Sequence, residues 1–80
     1  MSEVATIRRP NLSTPQAKAA QQYMTHKGID TQPYAVEQLE GQDVWYFYYD
    51  LSDGKLELEV YYDWDAGEWH TQVTTFRAAG

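Results

Sequence analysis

Tyr46, Tyr48, Tyr61 and His70, interleaved with Glu57, Glu59 and Asp63, are the side chains of this chain whose types and spacing could do chemistry. Tyrosines at alternate positions of neighbouring strands present large, rigid, amphipathic rings on one sheet face. Such rings are enriched where proteins meet other proteins. The chemistry expected is therefore recognition. Tyr46, Tyr48 and Tyr61 bury themselves against an apolar patch, while Glu57, Glu59 and Asp63 meet basic groups at the rim. His70 would make that contact sensitive to pH. The sequence thus predicts a small non-enzymatic protein–protein interaction module, acting as an adaptor, inhibitor or regulatory subunit. Its partner is another protein or a second copy of the chain.

Other chemistries fit less well. Paired carboxylates perform glycoside hydrolysis when they stand roughly 5–9.5 Å apart in a cleft and burial raises one pKa. A flat, solvated sheet face supplies spacing without desolvation, so no residue is assigned a catalytic role. Asp63-x-Asp65-x-x-Glu68 looks like the start of an oxygen-ligand calcium loop but lacks the bidentate Glu at the twelfth position. An acidic turn around Gly67 is the simpler account. His26 and His70, with no cysteine, make a weak zinc set. Neither a metal nor another cofactor is expected. The alternative function is a small-ligand module that takes a carbohydrate or Ca²⁺ on the same acidic aromatic face, with Trp64 and the tyrosines as stacking platforms. A more remote alternative is an acidic decoy for the basic groove of a nucleic-acid-binding protein.

Charge excludes further classes. The net charge is −6, and all the carboxylates except Glu3 and Asp30 follow Pro33, where only Lys55 and Arg77 oppose them. Such a half does not replace counterions on a phosphate backbone and is repelled by anionic lipid. Neither nucleic acid nor membrane is an expected partner. No apolar run approaches the roughly 20 residues of a membrane span, and no signal-peptide pattern opens the chain. The absence of cysteine fits a reducing compartment. The expected setting is the cytoplasm.

Two dense apolar runs must position the tyrosines. DVWYFYYDL and LELEVYYDW flank Ser52-Asp53-Gly54-Lys55, and Asp-Gly between strand-like runs signals a type I′ hairpin. Centring the turn on Asp53-Gly54 puts Leu51 opposite Leu56, Tyr49 opposite Leu58, Phe47 opposite Val60 and Trp45 opposite Tyr62 on an apolar face. The polar face then pairs Asp50 with Glu57, Tyr48 with Glu59, Tyr46 with Tyr61 and Val44 with Asp63. A preceding strand, with its turn at Glu40 to Asp43, sets Tyr34 opposite Tyr49, Val36 opposite Phe47 and Glu37 opposite Tyr46. A loop over Trp64 to Gly67 sets Tyr62 opposite Trp69, Tyr61 opposite His70, Glu59 opposite Gln72 and Leu58 opposite Val73. A three-residue loop there would exchange the two faces of the last strand. Trp64 is expected half in the core, closing the sheet end.

Upstream, Ser13-Thr14-Pro15-Gln16 marks a helix start, with Ser13 or Thr14 as cap and a Ser13-x-x-Gln16 capping box. Gly28 marks the helix end. Residues 1–12 read as a loose arm or a short edge strand, and 77–80 as a tail. Eighty residues make a single domain over 1–80. Its predicted class is α+β: one N-terminal helix over 15–27, packed on one face of a four-stranded antiparallel β-meander (αββββ) with strands at 34–39, 43–51, 55–63 and 68–76. The expected core is Ala20, Met24, Val36, Trp45, Phe47, Tyr49, Leu56, Leu58, Val60, Tyr62, Trp69 and Val73.

Overall fold

The computed structural model describes residues 12–39 and 41–79. Helix α1 (Pro15–His26) is followed by β1 (Ala35–Gln38), β2 (Val44–Leu51), β3 (Gly54–Asp63) and β4 (Glu68–Ala78). The strands form one antiparallel sheet in the order β1-β2-β3-β4. This is the αββββ meander the hydrophobic pattern calls for. The expectations for residues 1–11, Glu40 and Gly80 lie outside the described residues. Among the described residues no helix is long and apolar enough to cross a membrane.

The helix starts on Thr14, whose hydroxyl oxygen accepts the Ala17 N–H at 3.2 Å, with Pro15 at the first helical position. The cap is one residue later than the Ser13-Gln16 box requires. At the other end Gly28 adopts φ 77°. The Gly28 N–H reaches the Thr25 carbonyl at 2.9 Å and the Ile29 N–H reaches the Met24 carbonyl at 2.8 Å, a Schellman closure. Lys27 is the cap and not part of the helix.

Ala17, Ala20 and Met24, spaced three and four apart, lie on one helix face and are buried. That face packs on β3 and β4. Below it lie Phe47, Tyr49, Leu56, Leu58 and Val60, with Val36, Trp45, Leu51 and Trp69 partly buried around them. Small alanines let the helix come close, so the large side chains of the sheet supply most of the buried area.

Four expectations need correction. Val73 is 40% exposed and Trp64 75% exposed, so neither belongs to the core. Trp64 instead sets its ring edge-on to Tyr62 at 4.7 Å, beyond the end of the paired strands. Tyr34 precedes β1 and is exposed, its ring 6.3 Å from Tyr48 on the outer side. Arg77 and Ala78 are not tail, because β4 continues through them beside Lys55 and Gly54.

The central hairpin differs in register. Its loop is Ser52-Asp53, closed by Leu51 opposite Gly54, so each pair shifts: Tyr49 faces Leu56, Phe47 faces Leu58 and Trp45 faces Val60. The φ angles of Ser52 and Asp53 stay negative, which excludes a type I′ turn. Gly54 lies inside β3 at φ 155°, where an added Cβ would stand 2.5 Å from the Arg77 carbonyl oxygen. The glycine thus serves close packing against β4 and not the turn. The displacement preserves side-chain parity, so every residue keeps its face. The expected register set Asp50 against Glu57, a repulsive pair. In the structure Asp50 faces Lys55, with Oδ2 and Nζ 3.4 Å apart.

The other two registers agree with expectation. Val36 faces Phe47 and Glu37 faces Tyr46. Tyr62 faces Trp69, Tyr61 faces His70 and Leu58 faces Val73 across the four-residue loop. A bulge between Glu57 and Leu58 then shifts the pairing, bringing Phe76 opposite Leu56.

Candidate protein-binding face

Strand alternation sends Tyr46, Tyr48, Glu57, Glu59, Tyr61, His70 and Gln72 away from the helix. Three rows cross this outer face. One runs Glu37, Tyr46, Glu59, Gln72; the next runs Ala35, Tyr48, Glu57, Thr75; the third runs Val44, Tyr61, His70. Carboxylates and phenols therefore interleave. The sequence alone placed the acids at a rim around an aromatic centre.

Interleaving lets each acid take a hydrogen bond from the face itself. The Tyr46 hydroxyl donates to Glu59 Oε2 at 3.1 Å, and Gln72 Nε2 donates to Glu59 Oε1 at 3.2 Å. The Tyr48 hydroxyl donates to Glu37 Oε1. The Thr74 hydroxyl donates to Glu57 Oε2 at 2.9 Å. Three carboxylates are thus held in fixed orientations among half-buried rings. Burial, then the hydrogen bond to Glu59, then the nearby negative charges raise the Tyr46 phenol above its ordinary pKa. Burial and then the hydrogen bond to Glu37 do the same for Tyr48. Both phenols accordingly stay neutral donors at physiological pH.

The end of the face is organised by Asp63. Its Oδ1 accepts the N–H groups of Asp65 at 3.0 Å and Ala66 at 3.1 Å, and its Oδ2 lies 3.1 Å from His70 Nε2. The Ala66 and Asp65 amides, with His70, hold the Asp63 carboxyl below its usual range. The His70 ring lies 5.6 Å from that of Tyr61. The oxygens of Asp63 thus close a turn, the ordinary work of an Asx residue. Among the described residues no group of three or more His, Asp or Glu side chains is arranged to hold a metal ion.

All seven residues singled out from sequence lie on this one face: Tyr46, Tyr48, Tyr61, His70, Glu57, Glu59 and Asp63. Glu37 and Thr74 complete it. Glu37 was legible as an outer residue opposite Tyr46. Thr74 follows from the expected register of the last strand, which continued past Leu58 and Val73 sets it opposite Glu57; the bulge pairs Thr75 there instead, and the Thr74 hydroxyl still reaches Glu57. Beside Tyr61 lies a shallow hollow of ≈ 450 Å³, walled by Asp43, Glu59, Trp64 and Gln72. No family model, curated protein or solved structure matches this chain, so its reading rests on this geometry.

Proposed function

We propose that this chain is a small non-enzymatic interaction module, an adaptor, inhibitor or regulatory subunit, that binds a basic protein surface through its outer sheet face. The observation that carries the reading is the set of phenol–carboxylate pairs, Tyr46 with Glu59 and Tyr48 with Glu37. A carboxylate already oriented by a neighbour loses little freedom when it meets an arginine or lysine, so less binding energy is spent on ordering. Each such acid still has lone pairs for a second donor. The flanking rings offer guanidinium groups a stacking surface. Raised phenol pKa values suit donors and not general bases, which supports a binding role over catalysis. A chain without cysteine suits the cytoplasm as the setting.

A titration with an arginine-rich peptide, followed by calorimetry, tests this reading. The Tyr46→Ala/Tyr61→Ala variant keeps the charge of the wild type but should bind roughly tenfold more weakly or worse. It should stay folded, with a melting temperature lower by several degrees. Equal binding by the two proteins would show simple attraction to a net charge of −6 and would sink the proposal.

A second reading rests on the hollow beside Tyr61. Trp64 is largely exposed there, and Asp43, Glu59 and Gln72 supply hydrogen-bonding groups around it. That arrangement suits a neutral sugar ring stacked on the indole. Heat on titration with a glycan panel, absent in Trp64→Ala, would favour it over the basic partner.

A further inference from the structure

The two edges of the sheet are unlike. β1 is four residues long and follows Pro33 closely. Short length and proline are ordinary ways of blunting an edge. β4 is eleven residues long and contains no proline. Its stretch Trp69 to Phe76 holds no Asp, Glu, Lys or Arg, in a chain where 22% of residues are charged. A single bulge interrupts it. Among the described residues nothing pairs with its outer side.

Apolar exposure collects beside this edge. Val73 and Phe76 are 40% and 47% exposed on the helix side of the sheet. They form one wall of an open groove of ≈ 700 Å³, whose floor and other wall include Leu51, Leu56, Tyr23 and Ile29. The groove runs between the end of α1 and the tip of the central hairpin. It is continuous with this edge, so a strand added there would bring its own inward side chains over it.

Charge says which strand fits. The start of β4 is acidic: Glu68 lies opposite Asp63, and Glu59 lies opposite Gln72. Its end carries Arg77, which has no ion-pair partner among the described residues and lies opposite Lys55, itself paired with Asp50. An antiparallel copy of the same strand sets the Arg77 of each copy beside the acidic start of the other. We propose that β4 pairs with β4 of a second copy of this chain, joining two sheets edge to edge and covering Val73 and Phe76 of both. A two-fold contact of this kind closes on itself and leaves the outer tyrosine faces free. The apolar area is modest, so the dimer forms with rising concentration and is not present at every dilution. This inference is independent of the partner assigned to the outer face.

Light scattering across a concentration series tests it, with circular dichroism and a thermal melt to show that each variant is folded. The wild-type mass should rise from monomer toward dimer. Val73→Lys, at a half-exposed site, should weaken the dimer roughly tenfold or more. Arg77→Glu should weaken it as well, and Glu68→Lys combined with Arg77→Glu should restore it. Tyr46→Ala/Tyr61→Ala should dimerise like the wild type. A wild-type protein that stays monomeric throughout overturns the proposal. So does a dimer indifferent to Val73→Lys and to both charge reversals, or one lost only in the tyrosine variant, which would place the contact on the outer face.

Discussion

Tyr48 and Tyr49 are neighbours in the chain and belong to different worlds. The Tyr48 ring lies half-buried on the outer face, and its hydroxyl donates to Glu37. Tyr49 is 0% exposed beneath the helix, and its hydroxyl has no partner among the described residues. One face of the sheet thus uses tyrosine as a polar group with a ring attached. The other uses it as a large hydrophobe and leaves the oxygen unpaired. The same residue type contributes stability on the inside and a patterned surface on the outside, and the difference follows from strand alternation alone.

The sharpest way to break that comparison is to remove a ring from each face. Phe47 and Tyr46 are adjacent and equally central to the sheet. Phe47→Ala opens a cavity in a fully buried cluster and should cost about 3–5 kcal/mol. A domain of this size has a net stability of only about 5–15 kcal/mol, so the variant should be partly unfolded near body temperature. Tyr46→Ala removes cross-strand contacts worth roughly 0.2–1 kcal/mol each and should stay folded. Urea denaturation of both variants gives the two numbers. Equal losses would mean that the outer face is a second core and that its tyrosines are not available to a partner.

How much of this was legible in the sequence depends on what fixes each feature. Faces were legible, because period-two alternation in VWYFYYDL and KLELEVYYD survives any shift by an even number of residues. The hairpin register was not, because Asp53-Gly54 mimics a type I′ turn while Gly54 is required for its close approach to Arg77 and Ala78. That requirement comes from a strand more than twenty residues later, which no local pattern reports. The Asp50–Glu57 clash in the expected register was a warning that the chain itself contained. The seven site residues were legible as a set, since they share parity. Their hydrogen bonds were not, since a two-residue displacement decides whether Tyr46 faces Tyr61 or Glu59. The exposed edge was missed at Val73 because an apolar residue at an inward position reads as core wherever the covering helix happens to end, and at Phe76 because only the bulge turns it to the helix side.

A smaller effect sharpens the contrast at the hydroxyl itself. An unpaired buried hydroxyl costs roughly 1–3 kcal/mol, so Tyr49→Phe should leave stability unchanged or raise it by about 1 kcal/mol. For a domain of this length that corresponds to about 4–8 °C in melting temperature. Tyr48→Phe removes a donor from Glu37 and should lower stability slightly. The sign of the difference is the test. A loss in Tyr49→Phe would mean that its hydroxyl has a partner. The same variant alters the alkaline limb. Burial pushes the Tyr49 phenol up to about 12, against about 10 in an unfolded chain. The folded state therefore holds the proton longer. Its contribution is complete below about pH 10 and is lost as pH rises through 12. Tyr49→Phe should flatten that part of the decline.

The smallest expected effect lies at the end of the outer face, where a carboxylate acts structurally. Asp63 accepts the Asp65 and Ala66 amides, and its carboxyl titrates below the usual range because those bonds favour the charged form. A depressed folded pKa contributes stability above the unfolded value and loses it as pH falls through the folded one. Acidification below the ordinary carboxylate range should therefore loosen the Trp64–Gly67 loop before it touches the core. Asparagine still offers an oxygen to the two amides but carries no proton to gain. Asp63→Asn should keep the loop at neutral pH and remove its acid sensitivity, read from the amide resonances of Asp65 and Ala66 across a pH series. If those resonances shift equally in both proteins, the loop is held by its backbone and the Asp63 carboxylate is free to serve a partner, as Glu57 and Glu59 are proposed to do.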